Sequence, residues 1–81
     1  MELDPSYLTR RTTYADAVRE NMFQGREFGH TNDDWERLKT KMKPGDELWY
    51  FEPPSRKVMQ FWGLALVRDG KVVSTIITGV D

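Results

Sequence analysis

Apolar side chains recur at helical spacing in the first part of the chain. Between residues 14 and 24 they fall on one face of a helix: Tyr14, Ala17, Val18 and Met22. Thr13 and Asp16 have the spacing of a capping box, and Gly25 is a typical helix stop. The pattern predicts a first helix over residues 14–24 and then a connecting loop over residues 26–30, in which Phe28 packs against the core.

A second helix is predicted to begin at Thr31 or Asp33, either of which can cap it, and to end at Pro44-Gly45. Its apolar stripe consists of Trp35, Leu38 and Met42. Acidic residues dominate its first turn and lysines its last, a distribution that opposes the partial charges of the helix ends. Helix stability therefore explains this group of lysines.

Beyond Gly45 the apolar residues alternate, which predicts strands. The three runs cover residues 47–52, 61–68 and 71–78, and Pro53-Pro54 ends the first run. Asp69-Gly70 between the last two runs predicts a hairpin with a type I′ turn, because both residue types tolerate a positive φ. Residues 55–60 are predicted to form a short helical turn.

An uninterrupted register from this turn defines two faces of the hairpin. It pairs Leu66 with Val73, Leu64 with Thr75 and Trp62 with Ile77. One face then carries Trp62, Leu64, Leu66, Val73 and Ile77, and the other carries Phe61, Gly63, Ala65, Val67, Val72, Ser74 and Ile76. Both faces are largely apolar, whereas two short helices cover only one of them.

These elements predict an α+β fold with the order α-α-β-β-β, in which both helices pack on one face of a three-stranded antiparallel sheet. The chain of 81 residues is predicted to be a single domain over residues 1–81. Residues 1–11 show no sustained period and are predicted to form a loosely held N-terminal arm.

The second apolar face is the predicted binding surface. Its candidate partner-binding residues are Trp49, Phe51, Phe61 and Ile76, since aromatic side chains anchor the cores of interfaces. A second copy of the chain, another protein or a folded-back arm would cover this face. A homodimer is the simplest solution, and it leaves room for a small ligand between the subunits. For each ring, burial in the core is the alternative.

Composition removes several kinds of chemistry. The chain has no cysteine and one histidine, which excludes disulfide bonds and Cys/His zinc clusters. It also lacks a nucleophile elbow and a glycine-rich phosphate loop. His30 near Asp33 and Asp34 is a conceivable metal or acid/base group, but a role in the loop surface or in helix capping explains it better. The sequence predicts a non-enzymatic protein with no catalytic residue, no metal and no cofactor.

Nucleic-acid binding is the main alternative. Basic pairs occur along the chain at Arg10-Arg11, Arg37/Lys41, Lys39/Lys43 and Arg56-Lys57, and Trp49 or Phe51 would stack on bases. The formal net charge of -1 at pH 7 argues against it, because neutralisation of phosphates supplies most of the affinity of such proteins. Protein binding is therefore the preferred prediction.

No segment predicts export or membrane insertion. The first residues carry acids and a proline where a secretory signal needs a basic start and an apolar run. The longest apolar stretch, residues 61–67, is far shorter than the roughly 20 residues of a bilayer-spanning helix. A cytoplasmic location is predicted.

Two segments carry a resemblance to a known group of proteins. Residues 44–51 read Pro-Gly-Asp-Glu-Leu-Trp-Tyr-Phe, and residues 64–73 read Leu-Ala-Leu-Val-Arg-Asp-Gly-Lys-Val-Val. From about residue 35 onward the chain resembles small bacterial orphan proteins of mobile gene cassettes, a group with no assigned activity. The predicted element order is also similar to the helix-helix-three-strand unit of BamE and the β-lactamase inhibitor protein, which bind other proteins through an antiparallel sheet. The resemblance implies a small bacterial binding or accessory protein and assigns no residue a role.

Overall fold

The computed structural model describes residues 5–52 and 61–80. A short 3-10 turn (Pro5–Tyr7) leads into strand β1 (Leu8–Thr12) and helix α1 (Tyr14–Glu20). Next come strands β2 (Met22–Phe23) and β3 (Arg26–Glu27), a second 3-10 turn (Gly29–Thr31) and helix α2 (Asn32–Lys41). The last strands are β4 (Glu47–Phe51), β5 (Phe61–Arg68) and β6 (Lys71–Val80). The helical turn predicted at residues 55–60 lies outside the described residues.

The main sheet is antiparallel, with four strands in the order β1-β4-β5-β6. Strands β2 and β3 form a separate two-stranded sheet. The fold is therefore α+β, but the predicted order α-α-β-β-β with a three-stranded sheet is wrong. Strand β1 precedes both helices and pairs with β4 through its backbone. Its sequence, Leu-Thr-Arg-Arg-Thr, has no apolar alternation to reveal it.

Helix α1 begins at the predicted position and ends earlier than predicted. The Thr13 side chain accepts a hydrogen bond from the backbone N–H of Asp16 at 3.2 Å, which confirms the predicted cap. The helix ends at Glu20, because the chain then turns back on itself between β2 and β3. Gln24 and Gly25 form this turn with φ angles of 51° and 78°. The predicted loop at residues 26–30 thus begins with a strand.

Helix α2 confirms the second predicted helix. Trp35 and Leu38 are buried, and the Trp35 ring stacks on Phe28 with 4.4 Å between the ring centroids. The Trp35 indole N–H donates a hydrogen bond to a carboxylate oxygen of Glu27 on β3 at 2.8 Å. This contact satisfies the polar edge of a buried ring and holds the β2–β3 hairpin against α2.

The β5–β6 hairpin has the predicted turn but a different register. Asp69 and Gly70 both have positive φ angles, of 53° and 77°, and Val67 pairs with Val72 as expected. Leu66 then pairs with Ser74, so Val73 is the extra residue of a β-bulge. Because side chains alternate, this one residue moves Ile76 to the face of Leu64, opposite to the predicted face.

The two faces of the sheet carry separate hydrophobic clusters. On one face, side chains of the sheet pack against the helices: Ala17, Phe28, Trp35, Leu38, Leu48, Leu64, Leu66 and Ile76. On the other face the cluster centres on Phe51, Ala65 and Val67. Its partly buried members are Tyr7, Leu8, Trp49, Phe61 and Val72, so among the described residues no helical side chain belongs to it. Both helices therefore lie on a single face, as predicted.

Candidate interaction surface

The structure brings together three of the four predicted partner-binding residues. Trp49, Phe51 and Phe61 share the face without helices, and the rings of Phe51 and Phe61 meet edge to face at 6.1 Å. Ile76 lies on the opposite face, against the helices, because of the bulge at Val73. Phe51 is 2% exposed and Ile76 is 1% exposed, whereas Trp49 and Phe61 are half-buried.

The sheet has two edge strands, and β1 carries several features that discourage further pairing. It is five residues long, and its register with β4 shifts between Leu8 and Arg10. Arg10 forms an ion pair with Glu20 of α1 at 3.5 Å, and Arg11 forms one with Glu47 of β4 at 3.8 Å. Short length, a register irregularity and charged side chains are the devices by which proteins protect an edge.

The opposite edge, β6, is long and nearly uncharged. It extends over ten residues, Lys71–Val80, and Lys71 is its single charged residue. Three of its apolar side chains are largely exposed: Val73 at 40%, Ile77 at 42% and Val80 at 58%. Within the part of the chain that the structure describes, β5 is its single neighbour in the sheet. Its outer backbone N–H and C=O groups therefore form a template for another strand.

The sequence reasoning missed this edge, although the sequence contains a signal for it. Alternation along the strands indicates their faces, but it does not determine the strand order that makes β6 an edge. The signal is the contrast between two segments that contain β-branched residues: residues 8–12 include Arg10-Arg11, whereas residues 71–80 have no charge after Lys71. Charges on one strand and their absence on another distinguish a protected edge from an open one.

An open cleft of about 340 Å³ lies between the β2–β3 hairpin and the end of β6. Its lining includes Met22, Phe23 and His30 on one side and Thr78 of β6 on the other. Phe23 is 62% exposed. Within the described residues no group of three or more histidine, aspartate or glutamate side chains is placed to hold a metal ion. His30 and the acids that follow it thus do not assemble such a group.

Glu20, which also lines this cleft, is engaged by structural partners. The Tyr50 hydroxyl donates a hydrogen bond to its carboxylate at 2.7 Å, and Arg10 lies 3.5 Å from it. The hydrogen bond from Tyr50 lowers the pKa of Glu20 below its ordinary value. The Asn21 side chain donates to the same hydroxyl at 3.1 Å. This group of contacts ties the end of α1 to the sheet.

Asp46 and Arg68 form the most enclosed ion pair of the described residues. The guanidinium donates two hydrogen bonds to the carboxylate, at 2.9 and 2.8 Å, and a third to the backbone carbonyl of Lys41 at 2.9 Å. The Asp46 side chain is 2% exposed. Hydrogen bonding from Arg68 lowers the pKa of Asp46 to about 2. The pair joins the end of α2 to β5.

The basic residues proposed for nucleic-acid binding are largely paired with acids. Every arginine in the described ranges forms an ion pair with a carboxylate: Arg10, Arg11, Arg19, Arg26, Arg37 and Arg68. Lys39 pairs with both Glu27 and Glu36. Such pairing reduces the positive potential that a phosphate backbone would meet. Arg56-Lys57 lies outside the described residues.

Comparison of the chain with protein-family models, with curated proteins and with solved structures finds no match. The resemblance to mobile-cassette proteins and to BamE therefore stays a prediction. No helix in residues 5–52 and 61–80 has the length and apolar character needed to cross a membrane. The cytoplasmic location likewise stays a prediction.

Proposed function

We propose that the protein is a non-enzymatic binding module that takes a β-strand from another polypeptide at the free edge of β6. The contrast between the two edges of the sheet carries this proposal. Strand β1 is five residues long and carries two arginines, whereas β6 extends over ten residues with one charge. A sheet that protects one edge and leaves the other open has a specific place for strand addition.

The exposed side chains of β6 suit the same role. Added strands gain affinity from main-chain hydrogen bonds and specificity from alternate side chains. Val73, Ile77 and Val80 supply apolar contacts along the edge. The register of β6 with β5 is regular from Ser74 to Ile77 and shifts on either side of this stretch. The regular stretch is where a new strand would pair without distortion.

Two observations favour a binding module over an enzyme. The two acids whose pKa values are lowered, Glu20 and Asp46, each make their closest contacts with groups of the scaffold. Glu20 and His30 both line the cleft. Among the described residues, no hydrogen bond or ion pair joins His30 to Glu20 or to another acid or base. General acid/base and nucleophilic mechanisms need such mutually placed groups.

Strand addition is tested by amide NMR of the labelled protein during titration with a synthetic peptide of the sequence of residues 71–80. We expect shifts and slower hydrogen exchange confined to amides of β6, because an added strand pairs with its outer N–H groups. Ile77→Lys should weaken binding at least roughly tenfold, since a charge would enter the new strand pair. Thr40→Lys adds the same charge on exposed α2 and should bind as wild type.

The titration also has a result that would overturn the proposal. Peptide-induced changes that fall on β1, or no changes at all in protein that light scattering shows to be monomeric, would show that the β6 edge is closed to strands. A preference for duplex or single-stranded DNA, weakening steeply with added salt, would support the nucleic-acid alternative instead.

A further inference from the structure

We infer, building on the proposed strand addition, that the strand taken at this edge is β6 of a second copy of the chain, paired antiparallel about a two-fold axis. The two four-stranded sheets would then join into one continuous sheet of eight strands. This places self-association at the edge of the sheet, whereas the sequence predicted it on the apolar face.

Charge selects the antiparallel direction. Lys71 opens β6 and is its single charged residue. In parallel pairing, the two Lys71 side chains would lie beside each other, and like charges directly opposite each other destabilise a strand pair. In antiparallel pairing they lie at opposite ends of the interface, about 20 to 30 Å apart at the usual rise of a strand. Two copies of β6 can therefore pair without charge repulsion when they run antiparallel.

The exposed side chains select the register. Val73 lies two residues before Thr75, and Ile77 lies two residues after it. The exposed fractions of Val73 and Ile77 are nearly equal, at 40% and 42%. A two-fold axis at Thr75 places Val73 opposite Ile77 of the partner subunit, and the reverse. Each of these pairs joins two β-branched side chains, which are favourable cross-strand neighbours. The same axis places Lys71 opposite Gly79 of the partner subunit, which carries no charge.

The protected edge explains why assembly would stop at two copies. Pairing of β6 with β6 uses the same surface of both chains and leaves a β1 strand at each end of the joined sheet. The ion-paired arginines of β1 and its length of five residues discourage a third chain. The interface is therefore closed, as expected of a two-fold dimer, and does not extend into a filament.

Single-cysteine variants test both direction and register, because the chain has no cysteine of its own. Directly opposed Cα atoms in an antiparallel pair are about 4.5 to 5.5 Å apart, within the range that a disulfide bridges. Thr75→Cys should form a covalent dimer under mild oxidation. Lys71→Cys removes the repulsion that disfavours parallel pairing. It should still give roughly tenfold less covalent dimer than Thr75→Cys, because the two cysteines lie at opposite ends of an antiparallel pair.

Second substitutions in the Thr75→Cys protein show whether the cross-link depends on the edge. Adding Ile77→Lys should abolish the covalent dimer, whereas adding Thr40→Lys should preserve it. Circular dichroism of each variant checks that the fold is retained. Light scattering of the wild type over a dilution series should show a dimer that dissociates to monomer, as befits an interface made mostly by one strand.

Three results would overturn the inference. The first is preferential cross-linking through Lys71→Cys, which means parallel pairing. The second is a Thr75→Cys dimer that survives Ile77→Lys, which means contact through another surface. The third is a monomer at every concentration with no specific cross-link. If the NMR titration still shows strand addition in that third case, the proposed function stands and only the identity of the partner is wrong.

Discussion

Gly63 lies on β5 with the backbone of β6 directly beside it. A Cβ atom at this position would collide with the backbone carbonyl oxygen of Ile76, and a strand backbone has no alternative rotamer that relieves the contact. We expect Gly63→Ala to lower the free energy of unfolding by roughly 3 kcal/mol, through distortion of the β5–β6 pair. Urea unfolding followed by circular dichroism measures this change.

Gly79 provides a matched control for Gly63. A Cβ atom there would meet the indole of Trp62, a side chain that is already partly exposed and is able to rotate into solvent. Gly79→Ala should therefore cost only about 1 kcal/mol and change the tryptophan fluorescence. Equal stability of the two variants would contradict the close approach of β6 at Gly63.

The Asp46–Arg68 pair predicts a specific sensitivity to acid. Because Arg68 lowers the pKa of Asp46 to about 2, below the ordinary value of about 3.9, the folded state favours the carboxylate. Its stabilisation is fully present above the ordinary pKa and is lost as the pH falls from about 4 towards 2. Asp46→Asn should remove this part of the pH dependence and also lower stability at neutral pH.

Urea midpoints at about pH 6 and about pH 3 measure the effect. The control is Asp69→Asn, which changes an exposed acid in the adjoining turn and keeps the Asp46–Arg68 pair. Asn is also well accepted at a positive φ, so the turn should persist. The prediction is wrong if the Asp46→Asn midpoint falls with acid as steeply as that of the wild type.

At the scale of elements, the sequence predicted what local chemistry determines. The Thr13 cap, helix α2 and the Asp69-Gly70 turn depend on neighbours along the chain, and the structure confirms them. Strand β1 was missed because its stability comes from backbone pairing with β4 and not from an apolar pattern. The β2–β3 hairpin was missed because Gln24 is an unusual residue for a turn with positive φ.

The β2–β3 turn should be open to improvement by one substitution. Gln24 has a φ of 51°, a conformation that costs most residues about 1 to 2 kcal/mol and that Asn tolerates better. Gln24→Asn creates the Asn-Gly pair preferred in type I′ turns and should raise the free energy of unfolding by roughly 0.5 kcal/mol. Gln24→Val should lower it, since a branched side chain is unfavourable there. Thermal denaturation compares the three proteins, and equal stabilities would refute the turn assignment.

At the scale of the whole molecule, the predicted site and the observed edge differ for a topological reason. Trp49, Phe51 and Phe61 share one face, as the alternation of strands implies. Strand β6 is an edge because β1 joins the sheet beside β4 and not beside β6. No local pattern in the sequence encodes this choice of partner. The exposed side chains of β6 therefore became a candidate surface only once the strand order was known.

A substitution at Phe51 tests whether this residue belongs to the core of one chain or to a subunit interface. Its ring is 2% exposed within a single chain and packs with Ala65 and Val67. Phe51→Leu should therefore lower the free energy of unfolding of the monomer by about 1 kcal/mol at every protein concentration. Substitution of a residue in the subunit interface would act differently. The loss of stability would increase with protein concentration, because the wild type is then dimeric. Unfolding curves at two concentrations separate these cases.

The bulge at Val73 gives this position an unusual genetic property. Removing one codon from a strand normally turns every later side chain to the wrong face. Without Val73, however, Val72 and Ser74 would become consecutive opposite Val67 and Leu66, and Ile76 would still reach Leu64. Loss of codon 65 on β5, where each residue has a partner and no extra residue absorbs the change, would instead pair Thr75 with Leu64 and move Ile76 to the opposite face. Soluble expression of the two deletions should therefore differ sharply, with position 73 a natural site for length variation among descendants of this gene.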